Sequence, residues 1–210
     1  MEAYWRAPLT LGILPNVIGV LKVWETATWT EVVSSDQAGS AILALDWSPD
    51  GAYLASGDAS GIIEMWNTAE WVYRSYLPAA SAPEGAARFA WSSDGSRLAA
   101  IDGDASLVRI WNPTSRTVLL TLDCGEKSLL SDITWQPTGE HLAGTCYTLD
   151  GHFVRIWDTE SGSFIDQDSF IEILDRIDWS PQGDMLLYSS RSQTVPHVNE
   201  AFKVSKRGDS

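Results

Sequence analysis

The chain has 210 residues and carries 28 acidic against 14 basic side chains, a formal net charge of −14. This negative charge argues against attachment to nucleic-acid phosphate or to anionic lipid, because both depend on surplus Lys and Arg. We therefore expect protein or peptide partners, basic ones in particular, and no nucleic acid or membrane. The length suffices for one compact domain or for half of a larger ring.

The first candidate element is an apolar run at residues 7–21, APLTLGILPNVIGVL. It resembles the apolar core of a signal peptide, but it contains Pro15 and Asn16 and is too short for a membrane-spanning helix. No small-residue cleavage site precedes Trp24. We interpret the run as strand, and a signal or anchor remains the alternative. A mature chain that starts beyond Leu21 would contradict the strand.

Eight of the eleven tryptophans form two interleaved series, which indicate a tandem repeat. Members of the first series are 44 residues apart and lie in the phrases DWSPDG, AWSSDG, TWQPTG and DWSPQG. Members of the second series are 42, 45 and 46 residues apart and end the runs LKVW, IEMW, VRIW and VRIW. The first series is Trp47, Trp91, Trp135 and Trp179, and the second is Trp24, Trp66, Trp111 and Trp157. A period of this length is typical of four-stranded propeller blades.

One unit shows how the four strands follow each other. Strands are predicted at residues 41–48, from residue 53, from residue 61 and at residues 70–77. Between the first two, Pro49 presets the backbone, Asp50 tolerates the second corner, and Gly51 takes the left-handed position. Glycines hold the same place in the other units, at Gly95, Gly139 and Gly183.

With these phrases in register, residues 9–190 resemble the WD-repeat β-propellers. The literal WD dipeptide is Trp157 followed by Asp158, and the Gly-His dipeptide that the family places before the first strand of each unit is missing. The hydrogen-bond network that the family builds from His, Asp, a hydroxyl and Trp therefore cannot form as usual. The residues that match its Asp are Asp58, Asp104 and Asp150.

The predicted fold is all-β, a propeller of four-stranded antiparallel blades in an incomplete ring. Three blades are complete and the first and last are partial, which suits a fragment or a half that assembles with another propeller half or a second copy. Closure into a ring of four blades is the alternative. The predicted units are residues 1–40, 41–84, 85–128, 129–169 and 170–210.

The two cysteines, Cys124 and Cys146, fall at strand ends that a propeller places on one rim. We interpret them as reduced thiols of a cytoplasmic protein, with a bridge as the alternative.

No residue pattern predicts a cofactor, a metal site or catalysis. The three histidines, His141, His152 and His197, lack metal-site spacing. Asp102 and Asp104 could be drawn as paired catalytic carboxylates, but a tight turn explains the same residues. A propeller hydrolase would need converging acidic or His side chains at the inner strands, where the sequence is mostly apolar. We predict that the protein is not an enzyme.

The charged residues two positions before each second-series Trp are predicted to pair at blade edges; they are Lys22, Glu64, Arg109 and Arg155. Two further tryptophans, Trp29 and Trp71, open outermost strands. Packing against the next blade is the favoured reading, and a partner anchor is the alternative.

The resemblance implies a non-catalytic scaffold that binds proteins on the rim between fourth and first strands and between second and third strands. A sensor or regulatory module of a larger signalling protein is the alternative. On this chain the rim is acidic, and we expect it to bind a basic segment. The predicted partner-binding residues are Asp36, Asp58, Glu84, Asp102, Asp104, Glu126, Asp150 and Asp168.

Overall fold

The computed structural model describes residues 19–38, 40–77, 88–102, 105–170, 173–191 and 201–203, and every regular element within them is a β-strand. The strands form five antiparallel sheets in chain order. The first sheet contains β1 (Gly19–Glu25) and β2 (Thr30–Ala38). The second contains β3 (Ile42–Trp47), β4 (Tyr53–Asp58), β5 (Ile63–Asn67) and β6 (Val72–Leu77).

The remaining sheets follow the same plan. The third sheet contains β7 (Phe89–Trp91), β8 (Leu98–Ile101), β9 (Leu107–Asn112) and β10 (Thr117–Asp123). The fourth contains β11 (Leu129–Trp135), β12 (His141–Tyr147), β13 (His152–Asp158) and β14 (Phe164–Phe170). The fifth contains β15 (Ile173–Trp179), β16 (Met185–Arg191) and β17 (Ala201–Lys203).

Each sheet is an up-and-down meander in which consecutive strands are hydrogen-bonded neighbours. Three sheets have four strands, and within the described residues the first has two and the last has three. The predicted fold class, with three complete blades between two partial ones in an open arrangement, is confirmed. Of the run at residues 7–21 that we interpret as strand, residues 19–21 begin β1, and residues 7–18 lie outside the described residues.

The turn after each first strand explains the recurring glycine. Gly51 has a φ of 70°, and its N–H donates to the carbonyl oxygen of Ser48 at 2.8 Å. The Ser48 hydroxyl accepts from the N–H of Tyr53 at 2.9 Å and so ties the turn to the next strand. A side chain at a positive φ is strained, so the repeat keeps Gly at this corner. The predicted left-handed position is confirmed.

The hydrophobic core lies between neighbouring sheets and not within one. Each sheet presents aliphatic side chains of its second and third strands to the tryptophan-bearing face of the next sheet. Between the second and third sheets, for example, Ile63 and Met65 pack with Trp91, Leu98 and Trp111. A larger cluster joins the third and fourth sheets, and a further one joins the fourth and fifth. Each blade therefore depends on its neighbours for burial.

The predicted units can be compared with the strands. The second sheet falls within residues 41–84, and the third within 85–128. The strand β14 extends to Phe170, one residue past the predicted unit 129–169. No helix long and apolar enough to cross a membrane occurs among the residues that the structure describes.

Candidate functional site

Two aspartates of the predicted rim are buried where their sheets end. The Asp58 carboxylate accepts hydrogen bonds from the backbone N–H of Ser60 and of Ile62, at 2.9 and 3.0 Å, and from the Ser60 hydroxyl at 2.7 Å. Asp102 forms an ion pair with Arg109, with 2.7 Å between Oδ2 and Nη2. Because buried carboxylates are costly unless partnered, these contacts hold the loops in shape.

Two other rim residues are exposed on neighbouring loops. Glu126 lies between β10 and β11, and Asp150 lies between β12 and β13. Beside Asp150, the side chain of Leu149 is fully exposed at the tip of its hairpin. These loops therefore combine negative charge with an apolar tip.

The other four predicted rim residues do not lie on described loops. Asp36 lies within β2 and Asp168 within β14, so both belong to outermost strands and not to loops. Glu84 and Asp104 lie outside the described residues.

A disulfide beneath this rim corrects the prediction of reduced thiols. Cys124 follows β10 and Cys146 lies near the end of β12, and a bond joins them with 6.1 Å between the Cα atoms. Both side chains are buried in the cluster between the third and fourth sheets. The prediction was wrong because the cysteines are 22 residues apart, and only the packing of the two sheets brings them within bonding range.

Charged residues two positions before the second-series tryptophans do pair at the blade edges. Lys22 contacts Glu31 at 2.7 Å, and Arg109 contacts Asp102 as described above. Arg155 lies 3.9 Å from Asp123 of the preceding sheet and stacks on the ring of Phe164. The prediction of edge pairing is confirmed for these three.

Glu64 differs from the other members of this set because it is buried. The Ser56 hydroxyl lies 3.5 Å from one of its carboxylate oxygens. Burial, and then the nearby charge of Asp58, raise the pKa of Glu64.

The indole N–H groups show what replaces the family network. Trp66 donates to the Ser56 hydroxyl at 3.1 Å, which keeps the hydroxyl-to-Trp step within one sheet. Trp157 instead donates to the backbone carbonyl of Asp123 in the preceding sheet, at 3.1 Å. The indole N–H of the second series thus bonds within its own sheet in one repeat and to the preceding sheet in another.

The two outer tryptophans behave differently. Trp71 packs in the cluster between the first two sheets and meets Trp47 edge to face, with ring centroids 5.7 Å apart. Trp29, at the equivalent turn of the first sheet, is 73% exposed. Trp71 therefore packs toward the preceding sheet and not against the next blade as predicted, and the exposure of Trp29 leaves the anchor interpretation open for that residue.

A polar cleft of about 480 Å³ opens at the opposite end of the third and fourth sheets. Arg97 crosses it and donates to the carbonyl oxygen of Thr159 at 2.9 Å. Hydrogen bonds from the Ser92 hydroxyl and from the N–H of Ser96 lower the pKa of Asp94, which lines the cleft, to about 2. The cleft was not predicted, because its residues belong to turns that the repeat already explains.

The histidines fall in separate places. Nδ1 of His141 is 2.7 Å from the side-chain oxygen of Gln136, and His152 stacks on Tyr147. Burial lowers the pKa of His152. His197 lies outside the described residues. Within the described part of the chain, no group of three His, Cys, Asp or Glu side chains could hold a metal ion.

With this geometry in place, comparison with known proteins confirms the resemblance found in the sequence. Residues 31–67 match the family model of the WD domain, G-beta repeat. The chain therefore contains a match to one WD repeat and is similar to WD-repeat proteins.

The chain is also similar to several longer proteins. It is 27% identical over 182 residues to Protein HIR1 of Cryptococcus neoformans, which covers 74% of this chain and 19% of that protein. It is 25% identical over 201 residues to Protein transport protein sec13 of Aspergillus fumigatus, covering 84% of this chain and 65% of sec13. Histone transcription regulator slm9 of Schizosaccharomyces pombe is 27% identical over 197 residues, or 86% of this chain and 23% of slm9. The chain thus spans about a fifth of the length of HIR1.

A solved structure supports the fold of this chain. A chain of Hydrazine Synthase from Kuenenia stuttgartiensis superposes with a TM-score of 0.71 at 14% sequence identity. The match covers 89% of this chain and 57% of that one. At this identity the likeness concerns the fold alone.

Proposed function

We propose that the protein is a non-catalytic scaffold that binds a basic segment of another protein at its acidic loop rim. The observation that carries the proposal is the exposure of Glu126 and Asp150 on two loops of adjacent sheets. Buried Cys124 and Cys146 link these sheets beneath the loops. A rim that is already held in one shape loses less conformational entropy when it binds a partner.

We propose two roles within this rim. Asp58 and Asp102, which are buried, hold the loops in shape, and the exposed Glu126 and Asp150 contact the partner. The net charge of −14 adds a long-range electrostatic attraction between the whole protein and a basic partner. Glu84 and Asp104 remain predicted contributors to the charge of this rim, whereas Asp36 and Asp168 belong to outermost strands and are not assigned to it.

The relatives support a scaffold. Sec13 is named for protein transport, and slm9 is named as a regulator of histone transcription. We extend this to the present chain as a binding platform. We also propose that another propeller half or a second copy of the chain is a partner, because the two terminal sheets are incomplete within the described residues.

We place the protein in the cytoplasm, as the sequence predicts. The disulfide weighs against this location, because disulfides are rare in reducing compartments. Counting free thiols in protein isolated from its native cells under non-reducing conditions distinguishes the two. A count of two free thiols would agree with the cytoplasm, and a count of zero would contradict it.

The test of the rim is binding of a fluorescein-labelled octalysine peptide, followed by fluorescence anisotropy at low and physiological salt. The rim variant is Glu126→Lys/Asp150→Lys. The matched control is Glu140→Lys/Glu160→Lys, which makes the same charge change at exposed positions of the opposite end. We expect the rim variant to weaken binding about tenfold and the control about twofold, with less difference at higher salt.

Equal losses in both variants would show that the peptide responds to net charge alone and would contradict the rim. Binding by the unmodified protein that is indifferent to salt would do the same. Circular dichroism of both variants confirms that the sheets are intact.

A further inference from the structure

The four interfaces between successive sheets share one composition. On one side stand aliphatic side chains of a sheet's second and third strands, and on the other stand ladder tryptophans of the next sheet. The fourth and fifth sheets repeat the pattern, with Ala143, Val154 and Ile156 packed against Trp179 and Leu186. We call these two sides the aliphatic face and the tryptophan face.

The two ends of the described chain expose one half each of such an interface. On the second sheet, the tryptophan face is incompletely covered by the two-stranded first sheet, and Leu43, Leu45 and Trp47 are each about half exposed. On the fifth sheet, the aliphatic face is open, with Met185 39% and Leu187 47% exposed. Exposed apolar surface of this extent marks an interaction site.

The strand edges at these ends are complementary as well. Among the described strands, β1 pairs only with β2, so no described strand of this chain lies at the edge that β4, β8 and β12 cover in the complete sheets. At the other end, β16 is seven residues long, but β17 pairs with only three of them, Met185 to Leu187. A longer strand could replace β17 with more hydrogen bonds.

The complete sheets also define the register. In each of them, the residue seven positions after the first-series Trp pairs with the second-series Trp; the pairs are Leu54 with Trp66, Leu98 with Trp111 and Leu142 with Trp157. Applied to the terminal strands, the same rule pairs Leu186 of β16 with Trp24 of β1. It then sets Leu187 opposite Val23.

We propose that two copies of this chain close a ring through two composite blades, each built from β15 and β16 of one copy and β1 and β2 of the other. In this arrangement Leu187 of one copy packs on Trp47 of the other, as Ala55 packs near Trp91 within one chain. Symmetry requires the second composite blade to form in the same way, so that both open faces are covered at once.

Strand arithmetic agrees with this closure. Within the described residues, three complete sheets together with one inner pair and one outer pair amount to four blades, and two copies amount to eight. Closed propellers have about four to eight blades. The inference rests on the proposal that a second copy of the chain is a partner, and not on the acidic rim. An experiment that contradicts one of these two proposals therefore does not contradict the other.

The first experiment measures solution mass by size exclusion with light scattering. We expect twice the 23.0 kDa of one chain for the unmodified protein. Leu187→Asp should return it to the mass of one chain, and Leu119→Asp should not. Leu119, 46% exposed on the outermost strand β10, is the matched control because its exposure is nearly that of Leu187 and it lies outside the proposed contact.

A second experiment reads the register directly and does not depend on Leu187→Asp folding well. Val23→Cys and Leu187→Cys proteins, made separately, are mixed and oxidised. We expect a disulfide between the two chains at a yield several times that of either variant alone.

Three results would overturn the proposal. A single-chain mass at all concentrations would exclude the assembly. A bond within one chain carrying both cysteines, at single-chain mass, would show closure into a four-bladed ring. A dimer that Leu187→Asp leaves intact and that forms no crosslink between the mixed variants would show a different contact.

Discussion

Trp135 and Trp47 occupy the same position of two repeats, yet their surroundings differ. Trp135 is 6% exposed, and its indole N–H donates to the backbone carbonyl of Ala90 in the preceding sheet at 2.9 Å. Trp47 is 46% exposed and has Trp71 of its own sheet as an edge-to-face neighbour. The local phrase is nearly the same in both repeats, so the difference comes from the preceding sheet. A repeat therefore supplies the side chain, and its neighbour supplies the burial.

The largest expected effect contrasts these two positions. Trp135→Ala should lower the free energy of unfolding by about 3–5 kcal/mol, because it leaves a cavity between two packed sheets. Trp47→Ala should cost about 1–2 kcal/mol in the single chain, because half of the ring is already in water. Urea unfolding followed by far-UV circular dichroism measures both.

Protein concentration sharpens that contrast. If Trp47 is covered in a dimer, the cost of Trp47→Ala should grow as concentration rises, and the cost of Trp135→Ala should not. Equal losses of unfolding free energy for the two variants in dilute solution would contradict the difference in burial between Trp47 and Trp135.

A smaller effect is expected from the charged residues that precede the second-series tryptophans. Arg109→Met should cost about 2–3 kcal/mol, because it leaves the carboxylate of Asp102 buried without its ion pair. Lys22→Met should cost less than about 1 kcal/mol, because Lys22 and Glu31 are both solvent-exposed. Thermal and urea unfolding of the two variants should rank them in this order, and Asp102→Asn in the Arg109→Met background should recover part of the loss.

The smallest effect concerns pH. Asp132 lies three positions before Trp135, where the repeat of Trp47 has Ala44, and burial raises its pKa above 3.8. The charged carboxylate is less favourable in the folded chain than in the unfolded one, so its cost is present at neutral pH. It disappears as pH falls through the raised pKa toward 3.8. Asp132→Asn should stabilise the protein at pH 7, because the amide oxygen can still accept from the N–H of Ile177, and should remove this slope.

Asp94→Asn provides the opposite sign as a control. Hydrogen bonds lower the pKa of Asp94 to about 2, so its stabilising contribution is present above pH 3.8 and is lost as pH falls toward 2. Asparagine at this position should therefore weaken the protein at neutral pH. Unfolding measured between pH 2 and 7 in about unit steps covers both windows. If both substitutions changed the dependence of the unfolding free energy on pH in the same direction, the causes given for the two pKa shifts would be contradicted.

Much of the fold follows from local patterns. The glycine corners are predictable because a left-handed backbone excludes most side chains, and Gly51 has that conformation. Blade order is predictable because successive strands of a repeat pair with each other. The exposed loops that carry Glu126 and Asp150 are predictable for the same reason, since they connect strands at one end.

The candidate site could be predicted only in outline. The repeat pattern alone does not separate Asp58, whose carboxylate is buried and bonded to its own loop, from Asp150, which is exposed in the corresponding loop of another repeat. The polar cleft crossed by Arg97 combines turns from two sheets, so it belongs to neither repeat alone. The exposure of Trp24 and Trp47 depends on which strands lie beside them.

The sequence by itself determined the all-β repeat, the order of the blades and the turns between strands, because these depend on contacts within one unit of about 44 residues. Tertiary structure decided which members of the repeat are buried, which carboxylates face outward, and that Cys124 meets Cys146. These properties arise where two sheets meet. Because an equivalent residue can face a complete blade in one repeat and an open edge in another, periodicity alone cannot assign its surroundings.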